Sequence, residues 1–271
     1  MILRGMAHVH SRWSYDGCHD LHQIVGWAQA RGLHFILTSE HTRTMTDDTM
    51  SAFVAQCDAL TRASGILIVA GIECEATPDF VHVLGYGVRS LVRDRHVGSI
   101  ATAVRAAGGF PVLAHPVYRN AAAYVSGTEL DQLGGWEVWN GKADGPWYPG
   151  ADALQRLAQL HRDGARLVPM AGADLHRLEA DPGLVLEVEC EARAAGDILR
   201  ALERGGHRIV GATWSFAAAD PLREPPLSVH RLATLAALDI RRSAKRLNGW
   251  LAHRGLRAPA SVAVAARRLL K

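Results

Sequence analysis

Short apolar runs that close on histidine or acidic residues, each followed by a segment of helical spacing, recur along this chain. "GMAHVH" reads as a strand, and "LHQIVGWAQARG" as the helix after it, stopped by glycine. "HFILTSEH" is a second strand, and residues 47–63 form a helix opening on "TDD", a good N-terminal cap. "GILIVAGIECE" and "FVHVLGYGV" are strands separated by the turn signal "ATPD". A helix over 94–108 leads into the strand "FPVLAHP", and "GGWEVWNG" is followed by a helix near 150–163. "RLVPMAGADLH", "LVLEVEC", a helix near 194–205 and "HRIVGA" complete the series.

Repeated β–α units with mostly apolar strands predict a largely parallel sheet covered by helices. Roughly 7 to 9 strands in a single body crowd a doubly wound sheet, so a closed or distorted α/β barrel is the expected architecture. The prolines of "ADPLREPPL" mark a boundary, dividing the chain into a domain over 1–215 and a helical extension over 216–271. At 48% hydrophobic residues the chain can build a sizeable core. No apolar run approaches the roughly 18–20 residues needed to span a bilayer. The opening "MILRGMAHVH" lacks the apolar stretch of a signal peptide, and the four cysteines, Cys18, Cys57, Cys74 and Cys190, form no disulfide-like framework. A reduced, cytoplasmic setting is therefore expected.

The chain has fourteen histidines, and a single one is more often structural than a ligand. Their placement carries the argument. His8 and His10 close the first strand and His41 the second. Glu73 and Glu75 end the third, His82 lies within the fourth, and His115 ends the next. Asp174 and His176 end a later one. In parallel α/β barrels the C-terminal strand ends converge on one mouth, so these donors are expected in one pocket. On an extended strand residues i and i+2 share a face, which pairs His8 with His10 and Asp174 with His176. The same rule leaves Glu73 and Glu75 as alternatives. Imidazoles mixed with carboxylates suit manganese, zinc, iron or nickel better than calcium or magnesium. So many donors exceed one tetrahedral zinc and imply two or three divalent ions. Such ions polarise phosphoryl or carbonyl oxygens and lower the pKa of bound water to about 7. His19, His22, His34, His96, His161, His207, His230 and His253 lack that placement and read as structural or surface residues.

Taken in order, these motifs resemble those of the polymerase and histidinol phosphatase (PHP) metallohydrolases over residues 4–212. "HVHSRWSYDG" resembles the first motif, with His8, His10 and Asp16 in ligand positions. "TSEH" supplies His41, "GIECE" favours Glu73, "HVLGY" gives His82, "AHP" gives His115 and "GADLH" gives Asp174 and His176. The resemblance implies a distorted (β/α)7 barrel with a trinuclear centre, ahead of the C-terminal helical extension read from the sequence. It implies one metal on His8, His10, Glu73 and Asp174, a second on Glu73, His82 and His115, and a third on Asp16, His41 and His176. A metal-bridged hydroxide would be the nucleophile, with no further catalytic side chain, and the substrate a phosphomonoester or phosphodiester of a small metabolite or nucleotide. The spacing of "AHP", "WEVWNG" and "GADLHR" resembles a branch with carbaryl hydrolase-like enzymes, which cleave carbamate esters. An ester or amide hydrolase is thus the alternative within the same chemistry.

Arg12, Arg43, Arg119, Lys142 and Arg177 lie within four residues of a ligand position or of "EVWNG" and are candidates for gripping a substrate anion. Asn140 and Trp139 are candidates for a substrate wall, whereas Trp136 and Trp147 read as packing residues. Charge is divided unevenly. Residues 231–271 carry ten Lys/Arg against the single acid Asp239, leaving 20 basic against 26 acidic residues in 1–230. Leu232, Leu235, Leu238, Leu247 and Leu251 give that tail a basic amphipathic pattern. Packing against the barrel is its expected role; self-association or contact with nucleic acid or an anionic membrane surface are the others. A nucleic-acid-binding protein with a catalytically idle barrel is the reading from another class.

Overall fold

The computed structural model describes residues 1–220. The expected C-terminal helical extension lies, from residue 221 onward, outside the described residues. Among the described residues there are twelve strands: β1 (Ile2–Val9), β2 (Phe35–Thr38), β3 (Glu40–His41), β4 (Leu67–Val69), β5 (Gly71–Glu75), β6 (His82–Tyr86), β7 (Phe110–Leu113), β8 (Gly135–Asn140), β9 (Val168–Gly172), β10 (Val185–Glu189), β11 (His207–Val210) and β12 (Ser215–Ala217). The helices are α1 (Leu21–Ala30), α2 (Asp47–Ser64), α3 (Val97–Ala106), α4 (Gly127–Leu130), α5 (Gly141–Asp144), α6 (Ala151–Arg162) and α7 (Ala195–Glu203).

Local chemistry explains the helix boundaries. Asp20 accepts from the Gln23 N–H while Gln23 returns a bond to the Asp20 N–H, so α1 starts on a reciprocal cap and His19 falls just ahead of it. Thr46 caps α2, with Asp47 and Asp48 in its first turn, and Gly65 ends it at φ 73°. One face of each long helix is apolar and buried, for example Met50, Phe53, Val54, Cys57 and Leu60 of α2. None of the described helices is long and apolar enough to cross a membrane.

The strands form two six-stranded sheets, ordered β12-β11-β10-β1-β2-β4 and β3-β5-β6-β7-β8-β9. The chain is mixed α/β as expected, but the sheets are not largely parallel. β1–β2, β2–β4, β3–β5, β7–β8 and β8–β9 pair in parallel, whereas β5–β6, β6–β7, β1–β10, β10–β11 and β11–β12 pair antiparallel. For β5–β6 the reason is connection length. A parallel crossover needs about a dozen residues or more, and the short link from Glu75 to His82 permits only a reversal.

β3 follows β2 across Ser39, and β5 follows β4 across Ala70. The edge strand β9 meets β1, since Ala173 N–H bonds the Ala7 carbonyl at 2.8 Å and Leu175 N–H the His8 carbonyl at 2.9 Å. The core is apolar, with Trp136, Trp139, Tyr86, Phe35, Phe53 and Phe110 fully buried.

Candidate metal centre

The nine ligand positions implied by the resemblance are gathered at one place, and local irregularities do the gathering. The β1–β2 register slips between Ala7 and Val9, so His8 is the extra residue, at φ 60°. His10 lies just past the strand, its N–H bonded to the Leu175 carbonyl at 2.9 Å. Those bonds bring Asp174 and His176, which follow β9, against the end of β1. His115 and Asp174 also have positive φ, 29° and 50°. A non-glycine residue held there costs about 1–3 kcal/mol and persists only where its surroundings enforce it. The regular i, i+2 alternation expected for His8/His10 and Asp174/His176 is therefore replaced by bulged or left-handed backbone.

β5 is regular. His41 pairs across from Glu73, and Glu75 from His82. Because β6 runs antiparallel, its first residue, His82, lies beside the last residue of β5. Glu73 is 1% exposed and points into the cluster, whereas Glu75 turns to the rim, 3.9 Å from Arg43.

Glu73 is the hub. Its Oε2 lies 3.2 Å from Nε2 of both His8 and His10 and 3.7 Å from His41 Nδ1. Its Oε1 lies 2.5 Å from His82 Nδ1 and 3.2 Å from His115 Nε2. Asp174 Oδ1 is 3.2 Å from His176 Nδ1, 3.8 Å from His10 Nε2 and 4.0 Å from His8 Nε2. Asp16 Oδ2 is 2.8 Å from His176 Nε2 and 3.6 Å from His41 Nε2. The His10 ring stacks on His41 and His176, with centroids at 4.7 and 4.2 Å.

Among the described residues three groups have donor atoms within 4.8 Å of one another: His10, Asp16, His41 and His176; His8, Glu73 and His115; and His8, His10 and Asp174. These overlap the sets implied by the resemblance, with His10 shared between two groups and His82 joined through Glu73. The donors fit divalent ions on a second ground. His10 Nε2, Asp16 Oδ1, His41 Nδ1 and His115 Nδ1 are buried without a hydrogen bond. Buried polar atoms are rarely left so.

Electrostatics follow from the same crowding. Burial would lower the His8 imidazole, but Glu137, Glu73 and Asp174 hold its pKa well above the ordinary 6.5. Burial would raise the Glu73 carboxyl, yet His8 and His82 keep it well below the usual carboxylate range. His10, with less carboxylate compensation, is pushed down to about 4 by burial. Imidazole and carboxylate thus share protons where a dication would replace them.

Sequence reasoning passed over two buried carboxylates. Glu137 Oε1 accepts from His8 Nδ1 at 2.8 Å, and Oε2 accepts from the His115 N–H at 2.7 Å. Glu40 accepts from the Ser11 N–H, the Ser11 hydroxyl at 2.7 Å and the Ser14 hydroxyl at 2.6 Å. With its proton on Glu40, Ser14 Oγ accepts from the His41 N–H at 2.9 Å and faces His10 Nδ1 at 3.3 Å. For Glu137 the available signal was a glutamate among apolar residues in "WEVWN", a wholly buried strand; Glu40, flanked by Ser39 and His41, carried none.

The candidate substrate residues separate. Lys142 Nζ lies 3.3 Å from Asp174 Oδ1 and 3.5 Å from His176 Nδ1, with its side chain 55% exposed. Exposed Arg43 stands near Glu75, and exposed Arg119 lies over the Phe80 ring at 4.9 Å. Exposed Arg12 donates to the Cys18 carbonyl, and Arg177 is exposed beside His176. Asn140 is 2% exposed and lies beneath the donors, giving its amide hydrogens to Glu137 and Asp174 and capping α5 through Oδ1. Trp139 is fully buried, its indole N–H on the Gly145 carbonyl, and so forms core rather than a substrate wall. His19 pairs with Glu179 at 3.5 Å, outside the cluster.

No family model matches the chain, and no curated protein matches it. Solved structures share its fold. A two-domain Bacteroides vulgatus protein containing a predicted PHP-like metal-dependent phosphoesterase is 18% identical, with a TM-score of 0.60 over 78% of this chain and 65% of that one. This chain thus spans less than two thirds of that protein's length. An amidohydrolase from Chromobacterium violaceum with bound sulfate is 15% identical, TM-score 0.51, over 76% of this chain and 97% of that one. A lesion-specific endonuclease from Pyrococcus furiosus is 14% identical, TM-score 0.51, over 77% and 58%. The chain shares its fold with these structures, one of which is named as containing a PHP-like phosphoesterase.

Proposed function

We propose that this protein is a PHP-type metal-dependent hydrolase acting on phosphoesters, with His8, His10, Asp16, His41, Glu73, His82, His115, Asp174 and His176 as metal ligands. The observation that carries the reading is Glu73, whose two carboxylate oxygens face different sets of histidines. Glu73 would help hold one ion with His8, His10 and Asp174 and another with His82 and His115, and Asp16, His41 and His176 would hold a third. Manganese, zinc or iron suit that donor set. When bound, such ions polarise the oxygen of a phosphoryl or carbonyl group and bring the pKa of water to about 7. The chain's own residues prepare the donors. Glu137 holds the proton on His8 Nδ1, and Ser14 holds that on His10 Nδ1, leaving both Nε2 lone pairs toward Glu73. Lys142, beside Asp174 and His176, brings to the cluster a positive charge suited to an anionic substrate.

The bonds of β9 to β1, with the continuations β2–β3 and β4–β5, support closure of seven strands into the distorted barrel expected from the sequence. Neighbours named as a phosphoesterase and an endonuclease support monoester or diester substrates, nucleotides among them. The neighbour named as an amidohydrolase favours a second reading, cleavage of an amide, carboxylic ester or carbamate ester. Turnover of p-nitrophenyl phosphate and bis-p-nitrophenyl phosphate against p-nitrophenyl acetate, with Mn2+ or Zn2+, separates the two. Phosphoester turnover that is lost on chelation is expected. Ester turnover alone would overturn the phosphoesterase reading in favour of the second.

A further inference from the structure

The carboxylate of Glu137 has no place among the nine ligands, yet more of the centre leans on it than on any rim residue. β8 is buried along its whole length, and a glutamate there is costly unless both oxygens are satisfied. Oε1 takes the His8 Nδ1–H at 2.8 Å. Oε2 takes the His115 backbone N–H at 2.7 Å and one Asn140 amide hydrogen at 3.0 Å. The other hydrogen of that amide goes to Asp174 Oδ2 at 3.2 Å. Glu137 therefore fixes the ring of one candidate ligand, the left-handed backbone of a second and, through Asn140, the carboxylate of a third.

Two features of the fold make room for this arrangement. The β8–β9 register slips between Glu137 and Trp139, which re-aims the strand at this point. Gly172 of β9 faces the pair, and a Cβ there would overlap Glu137 Oε1 and stand 2.6 Å from His8 Cβ.

We infer that Glu137 is the positioning residue of the metal centre, setting the His8 tautomer and seating His115 and Asp174, so that metal affinity depends on its negative charge. This rests on the metal-hydrolase reading above. A histidine ligand is more basic, and its ring fixed, when its far nitrogen donates to a carboxylate. Glu137→Gln keeps the shape but removes the charge, and as a primary amide it can offer His8 Nδ1–H only a weaker acceptor. Gly172→Ala would disturb the same pair from the opposite side with no change of charge.

The test is Co2+ and Zn2+ titration of the full chain, the Glu137→Gln and Gly172→Ala variants and the charge-keeping Glu137→Asp, with the visible Co2+ spectrum recorded alongside. Glu137→Gln is expected to bind about 10–100-fold more weakly and to shift the Co2+ bands, with Glu137→Asp recovering part of the affinity. Unchanged affinity and spectrum in Glu137→Gln would overturn the inference while leaving the metal centre intact. Failure of the unaltered chain to bind metal would instead overturn the functional reading itself. A measurement independent of variant folding is long-range 15N–1H correlation on the Zn2+-loaded unaltered chain. It should show the His8 proton on Nδ1; a proton on Nε2 would contradict the inference.

Discussion

His8 in the donor cluster and His207 in the antiparallel wing of β10–β12 are both buried histidines, 0% and 4% exposed, and burial pulls both pKa values down, yet the two end on opposite sides of the ordinary value. His207 donates Nε2–H to the Pro169 carbonyl at 2.9 Å, and burial pushes its pKa down to about 4. Its Nδ1 also lacks a hydrogen bond. His8 has three carboxylates around it, which hold its pKa well above the ordinary value. An unsatisfied imidazole nitrogen by itself therefore marks nothing. What distinguishes the cluster is that several such atoms converge on shared carboxylates, and positive-φ backbone is tolerated at three of the converging residues.

The largest effect should separate Glu73 from its neighbour two residues on. Glu73→Gln should reduce hydrolysis by more than the about 10–100-fold typical of losing an orienting partner, while Glu75→Gln leaves it within about threefold of the starting rate, as suits a rim residue. Equal losses would dissolve the distinction between hub and rim. Next in size is the response to metal. Mn2+ or Zn2+ at about 100 times its dissociation constant should add about 2.7 kcal/mol of stability, read as a rise in thermal midpoint that chelation reverses. His207→Gln should keep that rise, whereas His10→Ala should lose much of it.

The wing makes its own prediction about pH. His207 stays neutral in the fold down to about pH 4 but takes a proton near 6.5 when unfolded, so the unfolded state binds more protons in that window. Stability should fall as pH drops from 6.5 toward 4, by up to about 3 kcal/mol from this residue. Denaturant titrations across the window should show a shallower decline in His207→Gln, and an identical slope would show that this histidine is not held neutral. The smallest effect belongs to the exposed Arg89–Asp58 pair, where the guanidinium keeps the carboxyl below its usual range. Asp58→Asn should cost less than about 1 kcal/mol, and a greater loss would mean that surface pairs matter here as the cluster does.

Much of this centre was legible because strand ends announce themselves in sequence. His41, Glu73, His115 and Asp174 each close an apolar run, and helix caps such as "TDD" mark where the next element starts. What stayed hidden depends on long-range geometry. The reversal of β6, which puts His82 at a strand start, follows from a short link whose consequence shows only once β5 has a partner. The bulge at His8 has no local sequence marker. Glu137 could be noticed as an acid within an apolar run, but the partners of both hidden carboxylates lie far along the chain, His8 being 129 residues from Glu137 and Ser14 26 from Glu40. β10 and β11, with α7 between them, read as further β–α units, because only pairing distinguishes antiparallel from parallel, and β12 carried no strand signal.

Metal content tests the central claim most directly. Full-length protein loaded with Mn2+ or Zn2+, freed of excess ion and measured by elemental analysis, should retain two or three ions per chain, and Glu73→Gln should retain fewer. Retention of no divalent ion by the unaltered chain, or equal content in both proteins, would contradict a centre organised around Glu73.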